Sequence, residues 1–448
     1  MVAKLIAEFV GTFLLIYTVG CNVLSGNAAW GGVSIASVLM VSIYALGGIS
    51  GANFNPAVSV ALGLSKAAKG PGLDWATVGK YAGVQIIAGI LAAVTYSSLF
   101  WDTFNLGPAP GFGWFQAALS EILYTCMLCF VVLNVAVAKN NSPNQFFGLA
   151  IGYVIVAGAY GAGAVSGGCF NPAVAIGIDT ASAALGFGWC LLYVVFEMIG
   201  AVLAVGLFKF VRPEDFGGSK SLGTELASEF IGTFMLVLTV GLNVLGDSPA
   251  GAYSIAASLM CMIYALGDVS GAHFNPAVTV AILVSGRCQD LTRGKACSFM
   301  GAQLLGGIVA AFTYAFIRGG ETFPLGPGAG YSAVQAIIAE IIFTFVLCYV
   351  VLAVAVSTAT KSSTMFGLAI GACVTVGGNA IGAVSGGSLN PAVSFGITTV
   401  DLFNGGGVVM AVLYTLAEMA GAGLAAGVFK VTHAVDLDDD GKRLAEQA

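Results

Sequence analysis

The tetrapeptide Asn-Pro-Ala-Val occurs four times in this chain of 448 residues. Asparagine is among the best helix N-cap residues and proline is favoured at the first helical position, so each copy predicts an abrupt helix start. The apolar stretch after the first copy, Ala57 to Leu64, is short. At 1.5 Å per residue it covers only about half of a ~30 Å hydrocarbon core. The motif residues are Asn55, Pro56 and Ala57; Asn171, Pro172 and Ala173; Asn275, Pro276 and Ala277; and Asn390, Pro391 and Ala392.

The composition places these motifs in a membrane protein. The chain is 58% hydrophobic and only 8% charged, whereas a soluble domain carries about 25% charged residues. Because open sheet edges cannot face lipid and the apolar stretches are too long for barrel strands, we expect an all-α membrane protein. Twelve spans are predicted, at 5–25, 33–50, 78–100, 115–137, 146–164, 187–209, 223–245, 253–270, 296–317, 333–356, 365–383 and 407–429.

The chain also repeats itself. The segment at 34–61 resembles the segment at 254–281, and GAVSGGCFNPAVAIGI (163–178) resembles GAVSGGSLNPAVSFGI (382–397). We therefore expect two homologous six-span units, joined and followed by short polar segments. The predicted boundaries are 1–212 for the first unit, 213–222 for a cytoplasmic linker, 223–432 for the second unit and 433–448 for an acidic cytoplasmic tail.

A weaker repeat lies within each unit. AEFVGTF (7–13) resembles SEILYTC (120–126), and an Asn-Pro-Ala-Val follows each of them. Each half of a unit holds three spans, and because three is odd the second half must enter the membrane upside down. This inverted-topology architecture places a permeation site near the bilayer midplane, where the two half-helix N-termini would meet.

Facing half-helix N-termini predict a particular chemistry. An asparagine oxygen that caps its helix leaves the side-chain NH₂ group as a donor. The helix N-termini add positive partial charge at the same place. Together these groups suit water or another neutral molecule with acceptor atoms, and they disfavour cations.

Two such motifs per six-span unit, with AEFVGTF in the first span and SGANFNPAVSVA after the second, resemble the aquaporin (major intrinsic protein) family. The resemblance covers nearly all of residues 3–210 and again 224–430. It implies an aquaporin-like fold with one pore per unit. We expect no cofactor. It also implies that a carboxylate supports each re-entrant loop, which agrees with the cost of unpaired backbone N–H groups at membrane depth. These carboxylates are Glu8, Glu121, Glu229 and Glu340.

The sequence departs from this family at the outer constriction. Family members usually carry Arg directly after the second motif, and here that residue is valine in both units. Counting from each motif, the resemblance places the constriction at Ile35, Ala159, Gly168 and Val174 in the first unit, and at Ile255, Gly378, Gly387 and Val393 in the second. A one-residue shift would present Tyr160 or Asn379 instead, since neighbouring helix positions differ by about 100°.

Loss of Arg removes five donors and a fixed positive charge from the constriction. The aliphatic and glycine lining makes it wide and apolar, which argues against a narrow filter for water alone. We therefore expect passive passage of small uncharged solutes, of the glycerol, urea, ammonia and hydrogen peroxide class, with water alongside. Two alternatives stay open: a mainly water-selective channel, or a poorly conducting structural membrane protein, because a hydrophobic ring can dewet.

Three further residues stand out near the motifs. Glu197 and Glu418 lie in the middle of the sixth span of each unit, where we expect bonds to the preceding span or to water. Cys169 lies two residues before Asn171, and its counterpart in the second unit is Ser388. A mercurial is expected to reach Cys169 if this thiol faces the pore.

Orientation and partners follow from the remaining features. Fifteen of the 16 Lys and Arg residues fall on one side of the span map, which places both termini in the cytoplasm. We expect no enzyme, because no nucleophile–base set is present, no metal site and no nucleic-acid partner. The tail segment at 436–441 matches only the first half of a calcium loop. Since family members form four-fold assemblies, two copies of this chain are expected to form a homodimer that is a pseudo-tetramer.

Overall fold

The computed structural model describes residues 1–434. Within that range the chain forms sixteen α-helices and no strand. Eight belong to the first repeat: α1 (Val2–Leu24), α2 (Gly31–Ser50), α3 (Pro56–Ala67), α4 (Trp75–Phe100), α5 (Trp114–Val132), α6 (Phe147–Ser166), α7 (Pro172–Ala181) and α8 (Trp189–Val211). Eight belong to the second: α9 (Leu222–Leu245), α10 (Gly251–Ser270), α11 (Pro276–Ser285), α12 (Arg293–Ile317), α13 (Ala333–Val351), α14 (Phe366–Ser385), α15 (Pro391–Asp401) and α16 (Val409–Thr432).

Twelve of the described helices are long and apolar enough to cross a membrane, and each overlaps one predicted span. The prediction of an all-α membrane protein is therefore confirmed. The other four, α3, α7, α11 and α15, have 10 to 12 residues. At 1.5 Å per residue they are about 15–18 Å long, which is close to half of the hydrocarbon core.

Each short helix packs against a long helix from the opposite half of its repeat. In the first repeat α7 contacts α4 and α3 contacts α8, and in the second α15 contacts α12 and α11 contacts α16. Glycine permits the closest of these crossings. A Cβ added at Gly89 of α4 would lie 2.4 Å from the Ala173 carbonyl oxygen, and one added at Gly307 of α12 would lie 2.4 Å from that of Ala392. The exchange of short helices between halves is the arrangement that an inverted repeat predicts.

By its contacts the described chain divides into two compact units, which do not follow the boundary of the sequence repeat. One consists of Met1–Thr224 with Leu242–Val269, and the other of Glu225–Gly241 with the residues from Ser270 onward. Helix α10 therefore packs within the same compact unit as the first repeat. In its most apolar window 72% of the residues are buried, against 28% in its counterpart α2.

Polar side chains join α10 to the first repeat. The Tyr253 hydroxyl donates to the Tyr153 hydroxyl at 2.8 Å on α6. Arg212, at the end of α8, is 1% exposed and binds both carboxylate oxygens of Asp268 at 2.6 and 2.7 Å. We call these four residues, Tyr153, Tyr253, Arg212 and Asp268, the polar seam. Removal of Asp268 would leave the buried Arg212 guanidinium without its carboxylate partner, which is destabilising.

The predicted linker begins as an ordered turn. Residues Pro213–Phe216 form a 3₁₀ turn, and the Asp215 carboxylate accepts a hydrogen bond from the Lys139 backbone N–H at 3.1 Å. The calcium-like segment at 436–441 lies outside the described residues.

Candidate functional site

Each Asn-Pro-Ala-Val motif starts a short helix with the predicted cap. The Asn55 side-chain oxygen accepts the Ala57 backbone N–H at 2.8 Å, and Pro56 occupies the first helical position. The Asn171 oxygen accepts the Ala173 N–H at 3.0 Å. The second repeat has the same caps, at 2.8 Å for Asn275 and 2.9 Å for Asn390. The side-chain oxygen of each asparagine is thus bonded to its own helix, and the amide N–H groups remain available as donors.

The tips of the two short helices in each repeat are in direct contact. Asn55 Nδ2 donates to the Phe170 carbonyl oxygen at 2.8 Å, and Asn171 Nδ2 donates to that of Phe54 at 2.9 Å. The second repeat has the equivalent pair, Asn275 to Leu389 at 2.8 Å and Asn390 to Phe274 at 2.9 Å. Since an amide nitrogen carries two hydrogens, one remains on each asparagine for a passing molecule.

The residue before each asparagine has a left-handed backbone. The φ angle is 52° at Phe54, 54° at Phe170, 50° at Phe274 and 55° at Leu389. Such conformations of bulky residues cost roughly 1–3 kcal/mol each and persist only where the surroundings hold them. Here they turn each carbonyl oxygen toward the opposite asparagine. The strained backbone therefore allows the hydrogen bonds between the two tips.

A buried carboxylate holds each of these loops. Glu8 is 0% exposed and accepts the Ser50 hydroxyl at 2.6 Å, the Asn53 N–H at 3.0 Å and the Phe54 N–H at 2.8 Å. Equivalent contacts are made by Glu121, Glu229 and Glu340. The four glutamates thus accept loop N–H groups that would otherwise be unpaired.

Glu197 and Glu418 differ from the expectation in their partners. We expected bonds to the preceding span or to water, but Glu197 accepts the Asn171 backbone N–H at 2.8 Å and Glu418 accepts the Asn390 N–H at 2.9 Å. Both are 0% exposed. Their role is set by the direction in which α8 and α16 point these side chains. The sequence signal was an acid in mid-span, which is costly unless it has a donor.

A cavity of about 230 Å³ runs past the paired tips of the first repeat. All four predicted constriction residues of this repeat, Ile35, Ala159, Gly168 and Val174, line it together with Asn55 and Asn171. No charged residue is among the described residues that line it. Tyr160 points elsewhere, because its hydroxyl donates to the Ala29 carbonyl oxygen at 2.8 Å. The alternative register with Tyr160 at the constriction is therefore disfavoured.

In the second repeat, the glycines of the expected constriction lie together. A Cβ added at Gly387 would be 3.4 Å from the Gly378 Cα, as one at Gly168 would be from the Ala159 Cα. Val393 is buried in α15, and Ile255 is half-buried in α10. Asn379 is exposed and donates to the Thr375 carbonyl oxygen on its own helix.

Sequence reasoning missed one part of the cavity wall. Phe104, Asn105 and Leu106, in the loop after α4, line the first-repeat cavity. The loop has no periodic pattern and no motif, so nothing in the sequence indicated that it folds back over the pore.

Cys169 lines the same cavity, with its thiol 3.5 Å from the Asn171 carbonyl oxygen. We expect a mercurial to block this pore, because soft metals bind thiolates and the thiol lies beside the passage. Flux in proteoliposomes should fall by roughly half, since the second repeat has Ser388 at this position. Cys169→Ser should be insensitive and Ser388→Cys should be blocked almost completely. Equal inhibition of the parent and of Cys169→Ser would contradict this assignment.

The comparisons with known proteins agree with this geometry. The family model described as major intrinsic protein matches residues 1–208, 145–246 and 225–429. The chain is similar to the probable aquaporin NIP4-2 of Arabidopsis thaliana, with 32% identity over 224 residues, 47% of this chain and 75% of the relative. It is also similar to aquaporin AqpM of Methanothermobacter marburgensis, with 30% identity over 250 residues, 47% of this chain and 98% of the relative.

Among solved structures, the aquaglyceroporin from Plasmodium falciparum matches with a TM-score of 0.41 and 21% identity, over 48% of this chain and 99% of that one. The family model covers both repeats. This chain therefore belongs to the major intrinsic protein family of aquaporins and contains the family's unit twice in tandem.

Proposed function

We propose that each repeat is a passive channel for small uncharged solutes, of the glycerol, urea, ammonia and hydrogen peroxide class, and for water. The observation that carries this proposal is the first-repeat cavity, which is uncharged and has asparagine amides at its middle. Its volume of about 230 Å³ leaves room for several waters or one small solute. A single water needs a cavity volume of only ~10–15 Å³.

Exclusion of cations is assigned to the paired tips. Two half-helix N-termini place roughly half a positive charge each at the midplane. The amide groups there present hydrogens to the passing molecule, so a cation would lose its hydration without gaining acceptors. The reciprocal bonds of Asn55 and Asn171 support this role, since they hold both donors in place.

The apolar wall favours a second candidate, a channel that conducts poorly. Leu15, Val19 and Phe104 face the same cavity, and a hydrophobic constriction can dewet. A panel of solutes separates the candidates. Parent protein in liposomes is expected to pass water, glycerol, urea and ammonia faster than protein-free liposomes, measured by stopped flow. Passage of water alone supports the water-selective alternative, and no passage supports the structural one.

A double variant that narrows the predicted constrictions tests the site itself. Ala159→Trp combined with Gly378→Trp places a large side chain at the predicted constriction of each repeat. Because an indole fills space that the small residues leave open, solute flux should fall to the level of protein-free liposomes. Flux equal to that of the parent would mean that solutes cross elsewhere.

We also propose that both termini are cytoplasmic and that two copies of the chain form a pseudo-tetramer. The observation that supports contact with a second copy is the exposed face of α2, which carries Val41, Tyr44 and Ile49. Its counterpart α10 is covered within the compact unit described above. Native mass measurement in detergent tests this proposal, with a dimer as the expected species and a monomer as the contrary result.

A further inference from the structure

The two repeats differ on the helix face that lines the proposed passage. In the first repeat Ile155 and Ala159, one helical turn apart on α6, line the cavity. The corresponding residues of α14 are Val374 and Gly378, and each is one carbon atom smaller. All four residues are half-buried. The wall of the second passage therefore lacks two carbon atoms that the first passage has.

The backbone does not close the space that these carbon atoms leave. A Cβ added at Gly168 would lie 3.4 Å from the Ala159 Cα, and one added at Gly387 would lie 3.4 Å from the Gly378 Cα. Because the loop and the helix are equally far apart in the two repeats, the absence of a methyl group at Gly378 leaves the second constriction wider. In an apolar pocket one carbon atom changes the discrimination between small molecules by about tenfold or more.

The second repeat also carries a chain of side-chain hydroxyl groups beside its second motif. Ser394 donates to Glu418 Oε1 at 3.1 Å, and the Ser388 and Ser394 oxygens are 2.7 Å apart. The same Glu418 oxygen accepts the Asn390 N–H at 2.9 Å, so it acts as an acceptor and its charge is not required. Since a serine has one hydrogen to donate, Ser394 accepts the hydrogen of Ser388, and the Ser388 oxygen keeps a free lone pair. Ser394 is fully buried and Ser388 is half-buried, so Ser388 is the open end of the chain.

The first repeat has sulfur and carbon in these places. Cys169 lies where the second repeat has Ser388, and Ala175 lies where it has Ser394. Cys169 and Ser388 are placed alike, because the backbone N–H of each donates at 3.0 Å to the glutamate that supports its loop. Cys169 lines the first-repeat cavity, and a thiol is only a weak acceptor. The second passage therefore offers an oxygen acceptor where the first offers a sulfur atom.

We propose that the second repeat is the faster path for small polyols such as glycerol, and that the first repeat favours water and the smaller solutes. Gly378 supplies the width, and Ser388 supplies an acceptor for a solute hydroxyl group. The amide hydrogens of Asn275 and Asn390 supply donors at the paired tips. A polyol both donates and accepts hydrogen bonds, so it matches this set of groups. This inference rests on the channel function proposed above and assigns to each repeat its own preferred solutes.

Closing one repeat at a time tests the inference. Ala159→Trp narrows the first repeat and Gly378→Trp narrows the second, so each single variant leaves one passage open. By stopped flow, glycerol flux should stay near the parent's in the Ala159→Trp variant and fall by about threefold or more in the Gly378→Trp variant. Water flux should fall by similar fractions in both variants. Melting temperatures near the parent's establish that both variants fold.

Exchange of the wall residues between repeats makes the test independent of a bulky side chain. In the Ala159→Trp background, Val374→Ile with Gly378→Ala gives the second repeat the wall of the first, and it should lower glycerol flux more than water flux. In the Gly378→Trp background, Ile155→Val with Ala159→Gly should raise glycerol flux through the first repeat. Misfolding cannot produce such a gain.

Ser388→Ala in the Ala159→Trp background separates the acceptor from the width. This substitution removes the hydroxyl group without narrowing the passage, so the ratio of glycerol flux to water flux should fall by about threefold or more. Gly427→Ala on α16 is the control, because its added Cβ meets nothing within 4 Å. The control variant should match the parent in melting temperature and in both fluxes.

The outcomes separate the inference from the proposed function. If the parent passes glycerol and the two single tryptophan variants pass it equally, the inference is overturned and the proposed function stands. A flux ratio that Ser388→Ala leaves unchanged overturns the role of the acceptor. If the parent passes no more glycerol than protein-free liposomes, the proposed function fails and the inference fails with it.

Discussion

Val174→Arg combined with Val393→Arg is expected to reduce glycerol flux by about tenfold or more, since a barrier increase of only ~1.4 kcal/mol gives that factor. Val174 lines the cavity beside the tip of α7. An arginine there fills part of a wide passage and adds five donors with a fixed charge. Water is small enough to pass beside it, so water flux should fall less than glycerol flux.

The same substitution should lower proton conductance, because it adds positive charge beside a cavity whose described lining residues are all uncharged. A fixed positive charge raises the barrier to protons and other cations. Stopped-flow light scattering gives the two fluxes, and a pH-sensitive dye inside the liposomes gives the proton leak. Val174→Met with Val393→Met is the matched control, because it adds length without charge. Unchanged solute selectivity together with unchanged proton leak in the arginine variant would show that our assignment of this position is wrong.

Gly89→Ala combined with Gly307→Ala is expected to abolish flux or prevent stable folding. An added Cβ would lie 2.4 Å from a backbone oxygen of the second half-helix in each repeat. A backbone atom cannot rotate away as a side chain can, so the short helix must shift as a whole. Overpacking of this kind typically costs about 1–3 kcal/mol and occasionally more. The shift would also separate the asparagine tips.

The same two helices provide the control for this experiment. A Cβ added at Gly83 or at Gly301 meets nothing within 4 Å. Gly83→Ala with Gly301→Ala should therefore match the parent in melting temperature and in water and glycerol flux. If the Gly89 and Gly307 variant behaves like this control, the close crossing of α4 with α7 and of α12 with α15 is not required.

Local signals explain why so much of the fold could be predicted. An Asn-Pro pair caps a helix through its own neighbouring backbone, and hydropathy depends on about 20 consecutive residues. The four helix starts and twelve spans follow from these short windows. The constriction positions adjoining Asn171 could be placed by counting, and they do line the first-repeat cavity.

Features that depend on distant packing could not be predicted in this way. Glu197 binds Asn171 because of the rotation of α8 about its axis. The sequence around an acid in mid-span does not indicate which group the acid will bind. The packing of α10 with the first repeat depends on contacts such as Tyr253 with Tyr153, which are 100 positions apart. Phe104 reaches the cavity through a loop of irregular backbone.

The polar seam has a consequence for symmetry. Its residues have repeat counterparts that cannot form the same bonds: Val33 for Tyr253, Ala372 for Tyr153, Gly48 for Asp268 and His433 for Arg212. The proposed pseudo-tetramer of two such chains would have alternating interfaces of unequal strength between its six-span repeats, rather than four identical interfaces. Its exact rotational order would be two, and dilution would separate whole polypeptides before it opened the joint inside one.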